Sequence, residues 1–201
     1  MNLTLIKPPD YEPVSLQDCY EHLRLTPTGS PLEHPDDAML RRHIATARRD
    51  VERITHRALV RQKLRLSAPW FCNLGLLRPP LIEVDSVQYY DSTNALQSLG
   101  AASWYLTDSL IPQVQLVLGA QPGVYARPDA VRVTYWAGYP ANNSPADTDR
   151  DAQIANVPSE ARDAILLGVE LLYNPMSPEQ RKAIMDARDA LLSDLKVYGV
   201  A

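Results

Sequence analysis

The chain has 201 residues, of which 45% are hydrophobic and 22% charged, and its formal net charge is −4. This composition supports a globular core and excludes both wholesale disorder and a uniformly basic nucleic-acid binder. Two cysteines outside any CxxC spacing argue against a disulfide framework and favour a reduced, cytoplasmic setting. No apolar run reaches about 18 residues and none follows a basic start, so we expect neither a membrane span nor a signal peptide.

The chain begins with a predicted extended arm over residues 1–14, followed by a helical part over residues 15–57. Ser15 is expected to start a short helix that ends near Leu25, because Asp18 stands in capping-box position. A long helix follows, capped by Asp36 or Asp37. Its apolar residues recur at steps of three, four and seven, which is the period of one helix face. They are Leu40, Ile44, Ala47, Val51, Ile54 and Ala58.

Residues 58–139 predict β structure. From Val60 to Leu66 the pattern has a period of two, with Leu64 on the apolar face and Arg61, Lys63 and Arg65 on the other. Further short apolar runs, separated by turn residues, predict an antiparallel sheet or small barrel. These runs cover residues 82–90, 95–99, 104–107, 113–118 and 130–136.

Residues 140–157 predict a loop and residues 158–201 predict two helices. The first of these is apolar nearly all round over residues 158–173, so we expect it to be buried on more than one side. The second is expected to start at Ser177, because Pro178 and Gln180 complete a helix-start pattern. The fold class is therefore α+β: a mostly helical core of about four helices with an inserted antiparallel β portion, in a single domain.

Motifs for chemistry are missing from the sequence. The glycines lack the spacings that bind phosphates, the histidines lack metal-ligand spacing, and no GxSxG elbow occurs. We therefore expect no catalytic residue, no cofactor and no metal site. An enzyme site assembled from distant residues is a hypothesis that the sequence leaves open. The three tryptophans lie in the β region, where aromatic packing is favoured over a stacking platform.

Positive charge is concentrated in one stretch: residues 41–65 hold nine Lys or Arg against Asp50 and Glu52. On the long helix, Arg42, Arg49 and Arg53 lie opposite the apolar face, within about 60° of one another. Such a row suits a solvated helix face, a contact with acidic residues of another subunit, or a contact with nucleic-acid phosphates. The pattern alone does not choose among these three.

The order of motifs resembles the head–tail connector (adaptor, or head-completion) proteins of long-tailed bacteriophages and related prophages, over about nine tenths of the chain. The matching segments before the β region are Pro13-Val14-Ser15-Leu16, His22-Leu23-Arg24-Leu25, Asp36-Asp37, Ala47-Arg48-Arg49-Asp50-Val51-Glu52 and Thr55-His56-Arg57-Ala58-Leu59. Those within and after it are Leu77-Arg78-Pro79-Pro80-Leu81, Val84-Asp85-Ser86-Val87-Gln88-Tyr89-Tyr90-Asp91, Val131-Arg132-Val133, Ala137-Gly138-Tyr139, Val157-Pro158 and Leu171-Leu172-Tyr173-Asn174.

This resemblance implies a structural protein without enzyme activity. It implies a homo-oligomeric ring, twelve-fold when assembled, that docks under the portal protein and extends the DNA channel toward the tail. The implied partners are the portal, a stopper or tail-completion protein, and the DNA that passes through, with no membrane. The implied location is the head–tail interface of a virion assembled in the host bacterial cytoplasm. The last helix, with Ile184, Leu191 and Leu195 on one stripe, is the expected portal-docking element.

The alternative to a connector subunit is a DNA-binding or packaging factor that uses Arg42, Arg49 and Arg53.

Overall fold

The computed structural model describes residues 1–72, 74–140 and 149–198, and within them the chain forms five α-helices and eight β-strands. The helices are α1 Leu16–Leu23, α2 Asp37–Thr55, α3 Arg150–Asn156, α4 Ser159–Tyr173 and α5 Pro178–Leu192. The strands are β1 Asn2–Lys7, β2 Gln62–Ala68, β3 Leu74–Gly75, β4 Leu81–Tyr90, β5 Leu96–Ser98, β6 Trp104–Leu106, β7 Gln113–Leu116 and β8 Val131–Ala137. The α+β class is confirmed, with five helices rather than about four.

Two antiparallel sheets make up the β structure, one in the order β1-β2-β8-β4-β5 and the other in the order β3-β7-β6. The predicted N-terminal arm is in fact an edge strand, because Leu3 pairs with Leu66 and Leu5 with Leu64. Without β1, the outer edge of β2 would present unpaired N–H and C=O groups. Residues Asn2–Lys7 of the arm therefore belong to the sheet.

Strand β2 has the predicted alternation. Every second residue from Gln62 to Ala68 is buried and the residues between them are half-buried. Its inward side chains pack with those of β8, in which Val131, Val133 and Tyr135 are at most 1% exposed. The Tyr135 hydroxyl donates to the Leu77 carbonyl at 2.7 Å, which satisfies the one polar atom of that buried ring.

Both predicted capping boxes are present. The Ser15 hydroxyl accepts from the Asp18 N–H while the Asp18 carboxylate accepts from the Ser15 N–H, and Ser177 and Gln180 repeat the pattern at the start of α5. Helix α1 ends at Leu23, close to the predicted Leu25, because Arg24 adopts a left-handed conformation with φ 56°.

Helix α2 differs from its prediction at both ends. Asp36 occupies the N-cap position but makes no side-chain cap, because its carboxylate accepts from the Tyr173 hydroxyl at 2.7 Å. At the other end, His56 has a φ of 56° and stops the helix after Thr55. Ala58 therefore lies beyond the helix, although it is buried as the apolar pattern indicates.

The predicted loop over residues 140–157 contains helix α3. The Asp149 carboxylate accepts from the Ala152 N–H at 3.1 Å and so starts a helix in which Gln153 is buried. The polar residues before Asp149 obscured this start in the sequence. The part of the predicted loop over residues 141–148 lies outside the described residues.

Contacts divide the chain into two compact units. The first, the β unit, comprises Met1–Asp10 and Arg61–Thr148, and the second, the helical unit, comprises Tyr11–Val60 and Asp149–Ala201. The core of the helical unit includes Leu40, Ile44 and Val51 of α2 with Ile165 and Val169 of α4, all at most 2% exposed. The boundaries given for a single connector domain stay a prediction.

Candidate subunit-contact groove

The three arginines singled out in the sequence, Arg42, Arg49 and Arg53, are all exposed on helix α2. They lie opposite the buried residues Leu40 and Ile44 because the apolar and basic positions differ by about half a helical turn. The structure places Arg49 and Arg53 at a groove, whereas Arg42 lies outside its lining.

Arg48 is a basic residue whose buried position was not predicted from the sequence. It lies on the inner side of α2, where its Nε donates to Glu12 at 2.6 Å and its Nη1 donates to Glu52 at 2.7 Å. Burial opposes its charge, but these two carboxylates outweigh the burial and raise the pKa of Arg48. The i, i+4 spacing of Arg48 and Glu52, next to the apolar positions of α2, is the sequence pattern that indicates this buried ion pair.

Helices α2, α4 and α5 enclose a groove of about 600 Å³, which we call the arginine groove. Four arginines line it: Arg49 and Arg53 from α2, and Arg181 and Arg188 from α5. Its apolar lining residues are Ala47, Gly168, Leu171, Leu172 and Met185. The groove therefore combines apolar side chains with positively charged ones.

The charge of the arginine groove is only partly balanced from within. Asp50, its one acidic residue, accepts from Arg53 at 2.6 Å and from Arg188 at 2.8 Å. Arg181 donates to the Leu171 carbonyl at 3.2 Å, and Arg49 has no ion pair within the described chain. Four guanidinium groups against one carboxylate leave the groove positively charged, which suits an acidic surface.

Close packing of two helices shapes one wall of the groove. A Cβ built on Gly168 of α4 would stand 2.9 Å from the Ala47 Cβ of α2, which is closer than two such carbons can approach. Glycine at this position is therefore what allows α2 and α4 to lie so close together.

The stripe proposed for portal docking is split between two hollows, and Leu195 lies in the 3-10 turn Ser193–Leu195 that follows α5, not on the last helix itself. Ile184, Leu191 and Leu195 are each half-buried. Ile184 lines a hollow with Pro175 and Met176 of the segment before α5. Leu191 and Leu195 line another hollow, together with Glu160 and Asp194.

Basic side chains from β1, from β2 and from the residue before β2 form a different kind of cluster, centred on Trp136 of β8. The Arg61 guanidinium lies 4.1 Å from the ring centroid, and the Lys63 and Lys7 amines lie 5.4 and 5.9 Å from it. Arg61 also pairs with Glu83 at 3.2 Å and Lys63 with Asp85 at 3.0 Å. Trp136 is thus a half-exposed platform for cations, which corrects the expectation of core packing.

Shifted pKa values in the described residues have structural causes. Burial raises the pKa of the Cys19 thiol to about 11, and a hydrogen bond to Asp37 raises the pKa of Tyr20 to about 12.

No group of three or more metal-ligating side chains occurs in the described part of the chain. In the same part, none of the helices is long and apolar enough to span a membrane.

Similar solved structures come from gene transfer agent (GTA) particles. One matching chain belongs to the neck of an empty GTA particle computed with C6 symmetry, with 19% identity and a TM-score of 0.73. Others belong to the virion of a native GTA particle (20% identity, TM-score 0.70) and to the neck of a native particle computed with C12 symmetry (18%, 0.69). Each match covers 100% of this chain and 98% of the other.

No family model and no curated protein sequence matches the chain. The structural matches show that the whole chain has the fold of a chain found in the neck of these particles. The resemblance to head–tail connectors is thereby confirmed at the level of the fold.

Proposed function

We propose that this protein is a ring-forming subunit of a phage-type head–tail connector. The observation that carries the proposal is the end-to-end match in fold with chains of GTA necks, because it covers both the helical and the β unit. Two of those necks were computed with sixfold and twelvefold symmetry, which fits a closed ring, twelve-fold when assembled. The chain would act in the virion after assembly in the host cytoplasm.

The proposed partners are the portal protein on the head side and a stopper or tail-completion protein on the tail side, with DNA passing through the ring. The stripe of Ile184 and Leu191 on α5, with Leu195 just after it, is the proposed portal-docking surface, because covering half-buried apolar side chains with a partner is favourable. The protein would need no cofactor and would catalyse no reaction.

The test is the native mass of the purified protein over a range of concentrations, alone and with portal rings of the same particle. The proposal predicts a closed ring in at least one of these conditions. A protein that stays monomeric in both at every concentration would refute it.

A second candidate function is DNA binding through α2. It is favoured by one observation, the exposure of Arg42, Arg49 and Arg53 on one helix face. Binding that neutralises phosphates weakens steeply as salt rises, because condensed counterions are released. Titration of duplex DNA at 50 and 200 mM salt tests this candidate: undetectable binding at the lower concentration excludes it.

A further inference from the structure

We propose that the arginine groove of one copy receives an acidic surface of the next copy, formed by α4, α5 and the 3-10 turn Ser193–Leu195 after α5, and that this contact closes the ring. The inference rests on the proposed ring and names its subunit interface. The acidic surface is a hollow of about 520 Å³ lined by Glu160, Ala187, Ala190, Leu191, Asp194 and Leu195. We call it the acidic hollow.

The two surfaces are complementary in charge. The acidic hollow has two carboxylates and no basic residue in its lining, and within the described chain neither Glu160 nor Asp194 has an ion-pair partner. The arginine groove has the opposite excess, with Arg49 unpaired in the described chain and Arg53 sharing Asp50 with Arg188. Each surface therefore supplies the charge that the other lacks.

The two surfaces also differ in the size of their apolar side chains. In the arginine groove, Leu172 is 47% exposed and Met185 is 41% exposed, so both project toward solvent. The acidic hollow presents the small side chains of Ala187 and Ala190 together with Leu191 and Leu195. Large apolar groups on one surface thus meet small ones on the other, which permits close packing at an interface.

Their positions on α5 give a head-to-tail contact. Arg181, Met185 and Arg188 face the arginine groove, whereas Ala187, Ala190 and Leu191 face the acidic hollow. At 100° per residue the two sets are centred about 130° apart around the helix axis. Because the contact joins two different surfaces, an open row of copies has a free arginine groove at one end and a free acidic hollow at the other until the ring closes.

This assignment reduces the surface that remains for contact with the portal. Leu191 and Leu195 are covered by the neighbouring copy, which leaves Ile184 and the hollow that it shares with Pro175 and Met176 for the portal.

Charge reversal on either surface tests the contact. The first variant is Arg49→Glu/Arg53→Glu and the second is Glu160→Lys/Asp194→Lys. The matched controls are Arg42→Glu on α2 and Asp186→Lys on α5, which are exposed but line neither surface. Far-ultraviolet circular dichroism and thermal melts show which variants fold as the wild type does.

Each variant alone should need at least about a tenfold higher protein concentration to assemble, because attraction becomes repulsion at every contact. An equimolar mixture of the two variants should again form rings, with the two kinds of copy alternating, since each reversed surface then meets a reversed partner. Both controls should assemble like the wild type.

The outcomes separate this inference from the proposed function. Rings that form equally well in both variants, or folded variants whose mixture does not assemble, would overturn the interface and leave the connector proposal standing. A wild-type protein that forms no ring, with or without portal rings, would overturn the proposed function and this inference together.

Discussion

Helix α2 and strand β2 both carry a row of basic side chains, but their charge is balanced in different ways. At the start of β2, Arg61 just before the strand and Lys63 within it lie beside Trp136 and pair with Glu83 and Asp85 within the β unit. On the outer face of α2, Arg49 has no ion pair within the described chain. A balanced row contributes to the stability of its own unit, whereas an unbalanced row is available to a partner.

The largest effect is expected where a balanced charge is buried. Glu52 is 2% exposed and accepts from Arg48 at 2.7 Å and from the Leu59 N–H at 2.9 Å. Glu52→Gln removes the negative charge and leaves the buried Arg48 with Glu12 alone. We expect a loss of about 3 kcal/mol in the free energy of unfolding, measured by urea denaturation. A loss below about 1 kcal/mol would show that Arg48 does not depend on this partner.

A smaller effect is expected from the half-exposed cluster on the sheet. Trp136→Ala removes the ring beside three cations, each worth about 0.5–1 kcal/mol at such a site. Together with lost packing, we expect a cost of about 2–3 kcal/mol in the free energy of unfolding. Trp136→Phe keeps a weaker ring and should cost about 1 kcal/mol. Equal losses in the two variants would mean that shape, and not the aromatic face, accounts for the stability.

The other end of the sheet gives a pH-dependent test. Arg127 and Arg132 each approach Asp129 to 2.6 Å, and these bonds lower the pKa of Asp129 to about 2 from an ordinary 3.8. A carboxylate with a lowered pKa in the folded state stabilises the protein above about pH 4 and loses this contribution as the pH falls toward 2. The stability difference between the wild type and Asp129→Asn should therefore shrink between pH 4 and pH 2. A difference that is constant over this range would contradict the assignment.

The smallest effect on stability is expected on the outer face of α2. Arg49→Ala should change the free energy of unfolding by less than about 0.5 kcal/mol, because the side chain is exposed and has no ion pair in the described chain. Its neighbour Arg48 provides the contrast, since Arg48→Ala would remove the cation that pairs with both Glu12 and Glu52. Urea denaturation of the two variants side by side checks both statements, and a large loss in Arg49→Ala would show an unnoticed structural role.

Local rules of sequence predicted much of this fold. The capping boxes at Ser15 and Ser177, the apolar face of α2 and the alternation in β2 depend on residues close in the chain, and all are confirmed. The predictions were wrong where residues far apart in the chain determine the local structure. Asp36 bonds to Tyr173, 137 residues away, and does not cap its own helix. The arm pairs with β2, which no pattern within residues 1–14 indicates.

Only two of the four arginines that line the arginine groove could be predicted from the sequence. The periodicity of α2 placed Arg49 and Arg53 on an exposed face, but Arg181 and Arg188 come from a helix more than 100 residues further along the chain. The close approach of α2 and α4 depends on Gly168 meeting Ala47, a contact that one sequence does not reveal. The shape of the groove therefore depends on how the helices pack, whereas the exposed positive charge of Arg49 and Arg53 follows from the periodicity of α2.

Closure of copies of this chain into a ring on a portal can be tested by electron microscopy of the purified protein mixed with portal rings of the same particle, because rotational averaging reports both closure and symmetry. We expect a twelve-fold layer stacked on the portal, with a central hole aligned with the portal channel. Portal rings that carry no added layer at saturating protein concentration would contradict it.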